Sequence, residues 1–197
     1  MSEQYLDEAD GALLLRVARE SLEDYLRRGE RKNTADYEAS PRLREPHGAF
    51  VTLRQRADGA LRGCIGQTRA VQPLIDTVSE FAVIAATRDP RFPPVRADEL
   101  PGLHIEVSAL APGDEPGSPF RKVHDLSEIE LGEDGLYLAP VDRPGGGLLL
   151  PQVPGEQGWN LEQFLHGLCR KANAPEGAWN NPAYSLYRFR AQVFEEA

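Results

Sequence analysis

Leu61-Arg62-Gly63-Cys64-Ile65-Gly66 sets an arginine, a cysteine and two glycines among apolar residues. Asp58-Gly59 stands just before it, and the apolar run Phe50-Val51-Thr52-Leu53 stands before that. An Asp-Gly pair between two strand-like runs signals a hairpin turn, so the hexapeptide reads as the return strand, about 60–66 against 49–54. Side chains on a strand alternate between faces. Regular alternation puts Leu61, Gly63 and Ile65 on a core face and Arg62, Cys64 and Gly66 together on the other. Glycines in a strand often admit a ligand or a second backbone close by, which makes Gly63 and Gly66 candidate ligand positions.

Outward from the hairpin, the patterns alternate between helix and strand. Leu14, Val17, Ala18, Leu22, Tyr25 and Leu26 recur at helical spacing, with Asp10 as the expected cap and Gly29 as the stop. Residues 30–48 read as a loop. Pro73 suits the start of a helix rich in apolar residues, Leu74 to Ala85, in which Phe81 is expected to be buried. Asp89-Pro90 ends that helix, because a residue before proline avoids the helical region. A strand follows at Leu103 to Leu110, with His104, Glu106 and Ser108 on its polar face. The Pro/Gly-rich stretch 111–119 reads as a linker. Beyond it lie a second hairpin around Gly145-Gly146-Gly147, a helix capped by Asn160 and Gln163 with Trp159 before it, and a last strand from Leu186 to Phe194. Each half reads hairpin, helix, strand. The expected fold is therefore α+β, with mostly antiparallel sheets, packed helices and two related halves suggesting internal duplication. One domain over 1–197 is expected, its first lobe at about 46–112 and its second at about 130–197.

Composition narrows the function. A net charge of −9 argues against general nucleic-acid binding. Residues 27–69 nevertheless hold ten basic and five acidic side chains, a net of +5, so the remainder carries −14. A hydrophobic content of 41% supports a sizeable core, and no run of about 18 apolar residues suggests a membrane span. The acidic start, Met1 to Asp10, is unlike a signal peptide. Two cysteines far apart, Cys64 and Cys169, form no disulfide framework, which points to a reducing cytoplasm.

The candidate site is the face opposite the hairpin's core side. Arg62 beside Cys64 is expected to lower the thiol pKa, which makes Cys64 a candidate nucleophile and Glu106 a candidate general base. The plainer readings are a small buried cysteine and a salt-bridged Glu106. Arg54 and Arg62 suit a small anionic ligand, a phosphate or a carboxylate. His104 lies on the same face, and Arg91 and Phe92, held among prolines, are placed to cover it. No metal is expected: His47, His104, His124 and His166 show no ligand spacing. No cofactor is expected either, since Gly145-Gly146-Gly147 lacks the Gly-Lys-Ser/Thr of a phosphate loop.

Leu61-Arg62-Gly63-Cys64-Ile65-Gly66 also resembles the signature of the AMMECR-type domain family, found in prokaryotes as AmmeMemoRadiSam system protein A. The resemblance continues through Asp89-Pro90-Arg91-Phe92-Pro93-Pro94-Val95, Ile105-Glu106-Val107-Ser108, Leu148-Leu149-Leu150-Pro151-Gln152-Val153 and Tyr187-Arg188-Phe189-Arg190-Ala191-Gln192-Val193-Phe194. It implies an α+β fold in two related halves. It also implies company with a Memo-like protein and a radical S-adenosylmethionine protein, but no established reaction. The reading it favours is an accessory or small-ligand-binding partner. The alternatives are an enzyme acting on a small anionic substrate through Cys64, and a pure scaffold.

Overall fold

A computed structural model describes residues 5–197; the first four, part of the acidic start Met1 to Asp10, lie outside the described residues. The chain divides into two compact units. The first runs to Leu110 and takes in Gln192–Ala197, and the second is Ala111–Ala191. The protein is α+β, its strands paired antiparallel.

In the first unit, β1 (Ala49–Gln55) and β2 (Leu61–Gln67) form the expected hairpin. Its turn is closed by Gly59 at φ 73°, a left-handed conformation that glycine adopts freely. β3 (Leu103–Leu110) pairs with the other edge of β1, giving the order β2-β1-β3. β2 is thus an edge strand. Val51 and Leu53 of β1 and Ile105 and Val107 of β3 are fully buried on one face. They share one core with Leu14, Val17 and Leu22 of α1 (Glu8–Arg28) and with Leu74, Ile75 and Val78 of α3 (Leu74–Thr87). The short α2 (Pro41–Arg44) interrupts the stretch expected to be all loop. The cap of α1 is Asp7, whose side chain accepts from the Asp10 amide at 2.8 Å; Asp10 itself is the residue capped, not the cap. Gly29 ends the helix in the left-handed conformation as expected.

Phe81 departs from its expected burial. It is half-buried and packs against the rim of the core, while Ile75, Val78 and Ala82 on the same helix are fully buried. α3 is apolar nearly all round, so apolarity alone did not say which face turns inward.

The second unit contains β4 (Arg121–Lys122), β5 (Asp134–Pro140), β6 (Gly147–Leu149), α4 (Val153–Gln157), α5 (Leu161–Lys171) and most of β7 (Tyr184–Glu195). Its strand order is β6-β5-β7, with β4 on β7. The order of elements, hairpin then helix then third strand beside the hairpin's first, is the same as in the first unit. Asn160 caps α5, and Gln163 returns a bond to the Asn160 amide, completing the expected capping box. Leu136, Leu138, Phe164, Leu168 and Cys169 form this unit's core.

The end of the chain belongs to the first unit, and one carboxylate fastens it. Glu196 Oε1 accepts from Arg19 Nε at 2.8 Å; Oε2 accepts from Arg56 Nη2 at 3.1 Å, from the Ile105 amide at 3.0 Å, and from Arg19 Nη2. Burial pushes this carboxyl's pKa up, but the bonds and charges of Arg19, Ile105 and Arg56 outweigh burial and hold it below the usual range. A group with a depressed folded pKa stabilises above its unfolded value and loses that contribution as pH falls through the folded value.

Two outcomes follow. Glu196→Gln is expected to cost roughly 1.5–3 kcal/mol at pH 7, as for bonds to charged groups. It should also flatten the acid limb of the stability–pH curve, measured by urea unfolding from pH 7 down to pH 3. In the core, Ile75→Ala is expected to cost about 2–5 kcal/mol, and Phe81→Ala less than Ile75→Ala. Equal losses in thermal melts would contradict this account of α3.

Candidate functional site

The register of the first sheet builds the site. Thr52 stands opposite Cys64 on β2 and opposite Glu106 on β3. Partners directly across a ladder project from the same face. A thiol, a hydroxyl and a carboxylate therefore form one row across three strands, on the face away from Val51 and Leu53. Thr52 Oγ1 donates to Cys64 Sγ at 3.3 Å. Thr52 and Glu106 are buried; Cys64 is half-buried. Phe50, Gly66 and Ser108 make the neighbouring row. Ser108 is fully buried, and its hydroxyl has no hydrogen-bond partner among the described residues.

As an edge residue, Cys64 turns its amide and carbonyl away from β1. Both are taken by the segment after α3. Asp89 Oδ2 accepts from the Cys64 amide at 2.9 Å, and Arg91 Nη2 donates to the Cys64 carbonyl at 3.2 Å. The two side chains are locked to each other: Arg91 Nε donates to Asp89 Oδ1 at 2.9 Å and Nη2 to Oδ2 at 2.7 Å. The Arg91 hydrogen bonds hold the Asp89 carboxyl far below the usual range, against its burial and with help from the Cys64 amide. Arg91 also lies over the Phe92 ring, 5.5 Å from its centre.

Arg62 is placed differently from the regular alternation expected for it. The ladder shifts register between Leu53 and Arg54, so that Leu53 pairs with Gly63 but Arg54 with Leu61. A β-bulge of this kind breaks the alternation at the extra residue, here Arg62. Leu61 is half-buried instead of lying in the core. The Arg62 guanidinium binds Glu99 through Nε (2.9 Å) and Nη2 (3.1 Å), and the Pro93 carbonyl through Nη1 (2.8 Å). Only 9% of Arg62 is exposed. The bond from Arg62 holds the Glu99 carboxyl low.

The expected effect on the thiol reverses as a result. Burial pushes the Cys64 pKa up; the Thr52 bond and the charge of Arg91 oppose it, and Glu106 and Asp89 add to it. The nearby cation is Arg91, not Arg62.

The remaining candidates divide. Arg54 Nε lies 3.9 Å from Glu106 Oε2, and His104 stands opposite Arg54 on β3 with Nε2 3.6 Å from Glu195 Oε2. Arg54, His104, Glu106 and Cys64 thus share the expected face. Gly63 and Gly66 serve close packing: a Cβ at Gly63 would lie 2.3 Å from the Ala85 carbonyl of α3, and one at Gly66 2.5 Å from the Phe50 ring. Both cysteines are free. Among the described residues, no three His, Cys, Asp or Glu side chains gather as metal ligands, and no helix is long and apolar enough to cross a membrane. The sequence reading missed Asp89, taken only as a helix stop, and Glu99 entirely. The signal for Asp89 was its place before Pro90, Arg91 and two further prolines, Pro93 and Pro94, a segment too rigid to be a mere connection.

The AMMECR1 family model matches residues 15–194. A protein of Thermococcus gammatolerans is 44% identical over 191 residues, covering 94% of this chain and 90% of its own length. One from Methanothermobacter thermautotrophicus is 42% identical, covering 97% and 96%. The crystal structure of an uncharacterized protein from Pyrococcus horikoshii superposes with a TM-score of 0.88 at 36% identity, covering 98% of this chain and 94% of that one.

The Arg62–Glu99 pair yields a direct outcome. Arg62→Ala leaves the part-exposed Glu99 without its guanidinium and the Pro93 carbonyl without its donor, and is expected to cost about 1.5–3 kcal/mol, as for hydrogen bonds to a charged group. A thermal melt indistinguishable from the parent would return Arg62 to the ligand-binding role read from the sequence.

Proposed function

The chain belongs to the AMMECR1 family, and we propose that it binds a small polar ligand against the row Cys64–Thr52–Glu106, without forming a bond to it. It does so as a cytoplasmic accessory to Memo-like and radical S-adenosylmethionine proteins. The observation that carries this reading is the hydrogen bond from Thr52 to Cys64, in line across the sheet with Glu106. Such a row offers several polar groups of fixed direction on a rigid sheet, which is how a binding site fixes orientation.

The raised thiol pKa favours binding over nucleophilic attack. A thiolate is the reactive form, and burial disfavours it here. The enzymatic alternative requires something to remove the Cys64 proton; the candidate base Glu106 stands in the row beyond Thr52, and the group hydrogen-bonded to the sulfur is the Thr52 hydroxyl, which donates to it and is not a base. The partner assignment rests on the family resemblance; the binding assignment rests on the row.

The test is a thermal-shift screen of small polar metabolites with the isolated protein, repeated with Thr52→Val. Stabilisation by a ligand, lost in Thr52→Val and accompanied by no turnover, is the expected result. The pH dependence of Cys64 alkylation by iodoacetamide provides a second check. The rate is expected to rise only above the ordinary thiol pKa of about 8.5. A plateau reached by pH 7 would mean a thiolate, and would favour the nucleophile.

A further inference from the structure

We propose that Arg91 is the ligand's anion contact, and that the ligand of the Cys64 row carries a carboxylate. This rests on the binding reading above and adds the ligand's chemical class.

Three guanidinium groups belong to this part of the sheet. All three nitrogens of Arg62 are engaged by Glu99 and Pro93. Arg54 lies beside Glu106. Arg91 differs. Its Nε and Nη2 are bound to Asp89 and the Cys64 carbonyl, while Nη1 donates to none of the described residues. Its side chain is 51% exposed, whereas the carboxylate that anchors it is 2% exposed.

This is a mounted group, not a free surface arginine. Arginine ordinarily gives up much rotamer freedom on binding an anion, which is why exposed ion pairs contribute little. Here the freedom is already lost: Asp89 holds one edge, the Cys64 carbonyl takes a further hydrogen, and Phe92 lies under the plane. The two Nη1 hydrogens point away from Asp89. Nη2 of the same arginine bonds the Cys64 carbonyl at 3.2 Å, so an anion on the neighbouring Nη1 lies beside Cys64, the end of the row.

Charge decides the class. Arg91 is offset by Asp89 and Arg62 by Glu99, so the flank has no net positive charge. A dianionic phosphate finds no field to hold it. A carboxylate needs only one good donor pair, and its remaining atoms are free to meet Cys64 and Thr52.

The test measures protection of Cys64 from iodoacetamide, read on the Cys64 peptide by mass spectrometry so that Cys169 does not interfere. The probes are benzoate, benzamide and inorganic phosphate, of which the first two share a ring and differ in the charge. Benzoate is expected to protect at a concentration about tenfold lower than benzamide, and phosphate not at all. Arg91→Ala, checked by thermal melt, is expected to remove that tenfold advantage, a factor typical of a charged hydrogen bond. Should Arg91→Ala fail to fold, Arg91→Lys keeps the charge without the fork and is expected to lose most of the advantage. Benzamide protecting as well as benzoate would overturn the role of Arg91 while leaving the row as a binding surface. Phosphate protecting better than benzoate would overturn the carboxylate class. Protection by none of the three would remove both this inference and the binding reading beneath it.

Discussion

The amide and carbonyl of Cys64 face outward from an edge strand, and a backbone pair left so is costly when shielded from water and a template for unwanted pairing when not. Asp89 and Arg91 satisfy both groups with side chains instead of a further strand. Much of the first unit is consistent with that one requirement. α3 must end where it does, so that Asp89 can turn back onto β2. The prolines that follow keep the segment extended, which places the Pro93 carbonyl under Arg62. Glu99 then closes on Arg62 from the short turn leading into β3. The two most distinctive stretches of the sequence, Leu61 to Gly66 and Asp89 to Val95, are halves of one contact.

What could be read in advance was whatever depends on local period. The hairpin, β3, α3 and the Asn160 cap all follow from alternation, helical spacing or capping chemistry within a few residues. The face carrying Cys64, Glu106, Arg54 and His104 was legible for the same reason, since alternation fixes faces wherever the ladder is regular. Arg62 was misplaced because the ladder is not regular there. A one-residue bulge leaves no mark in composition, yet it reassigns Leu61 and Arg62. Asp89 and Glu99 were missed because their partners lie 25 and 37 residues away. The return of Gln192–Ala197 to the first unit is of the same kind. Nothing in Glu195-Glu196-Ala197 announces that the second glutamate will meet Arg19 and Arg56.

The excess of positive charge over residues 27–69 gives a sharper instance. Counted along the chain, it sets the hairpin in the one basic part of an acidic sequence. In the fold, the segment's cations meet acids drawn largely from outside it. Arg28 pairs with Asp24, Arg31 with Glu80 and Lys32 with Glu20. Arg54 lies beside Glu106, Arg56 pairs with Glu196, and Arg62 with Glu99. The segment is basic because the rest of the unit supplies its counter-charges, and the two counts are one arrangement seen from either side. A net charge along a sequence becomes a surface potential only where folding leaves it unpaired. Around Cys64 it is paired almost throughout, so burial, not a neighbouring cation, sets the state of the thiol. A thiol held by a hydroxyl, in line with a carboxylate and with its pKa raised by burial, is the physical ground for proposing recognition of a ligand's polar groups rather than attack on them.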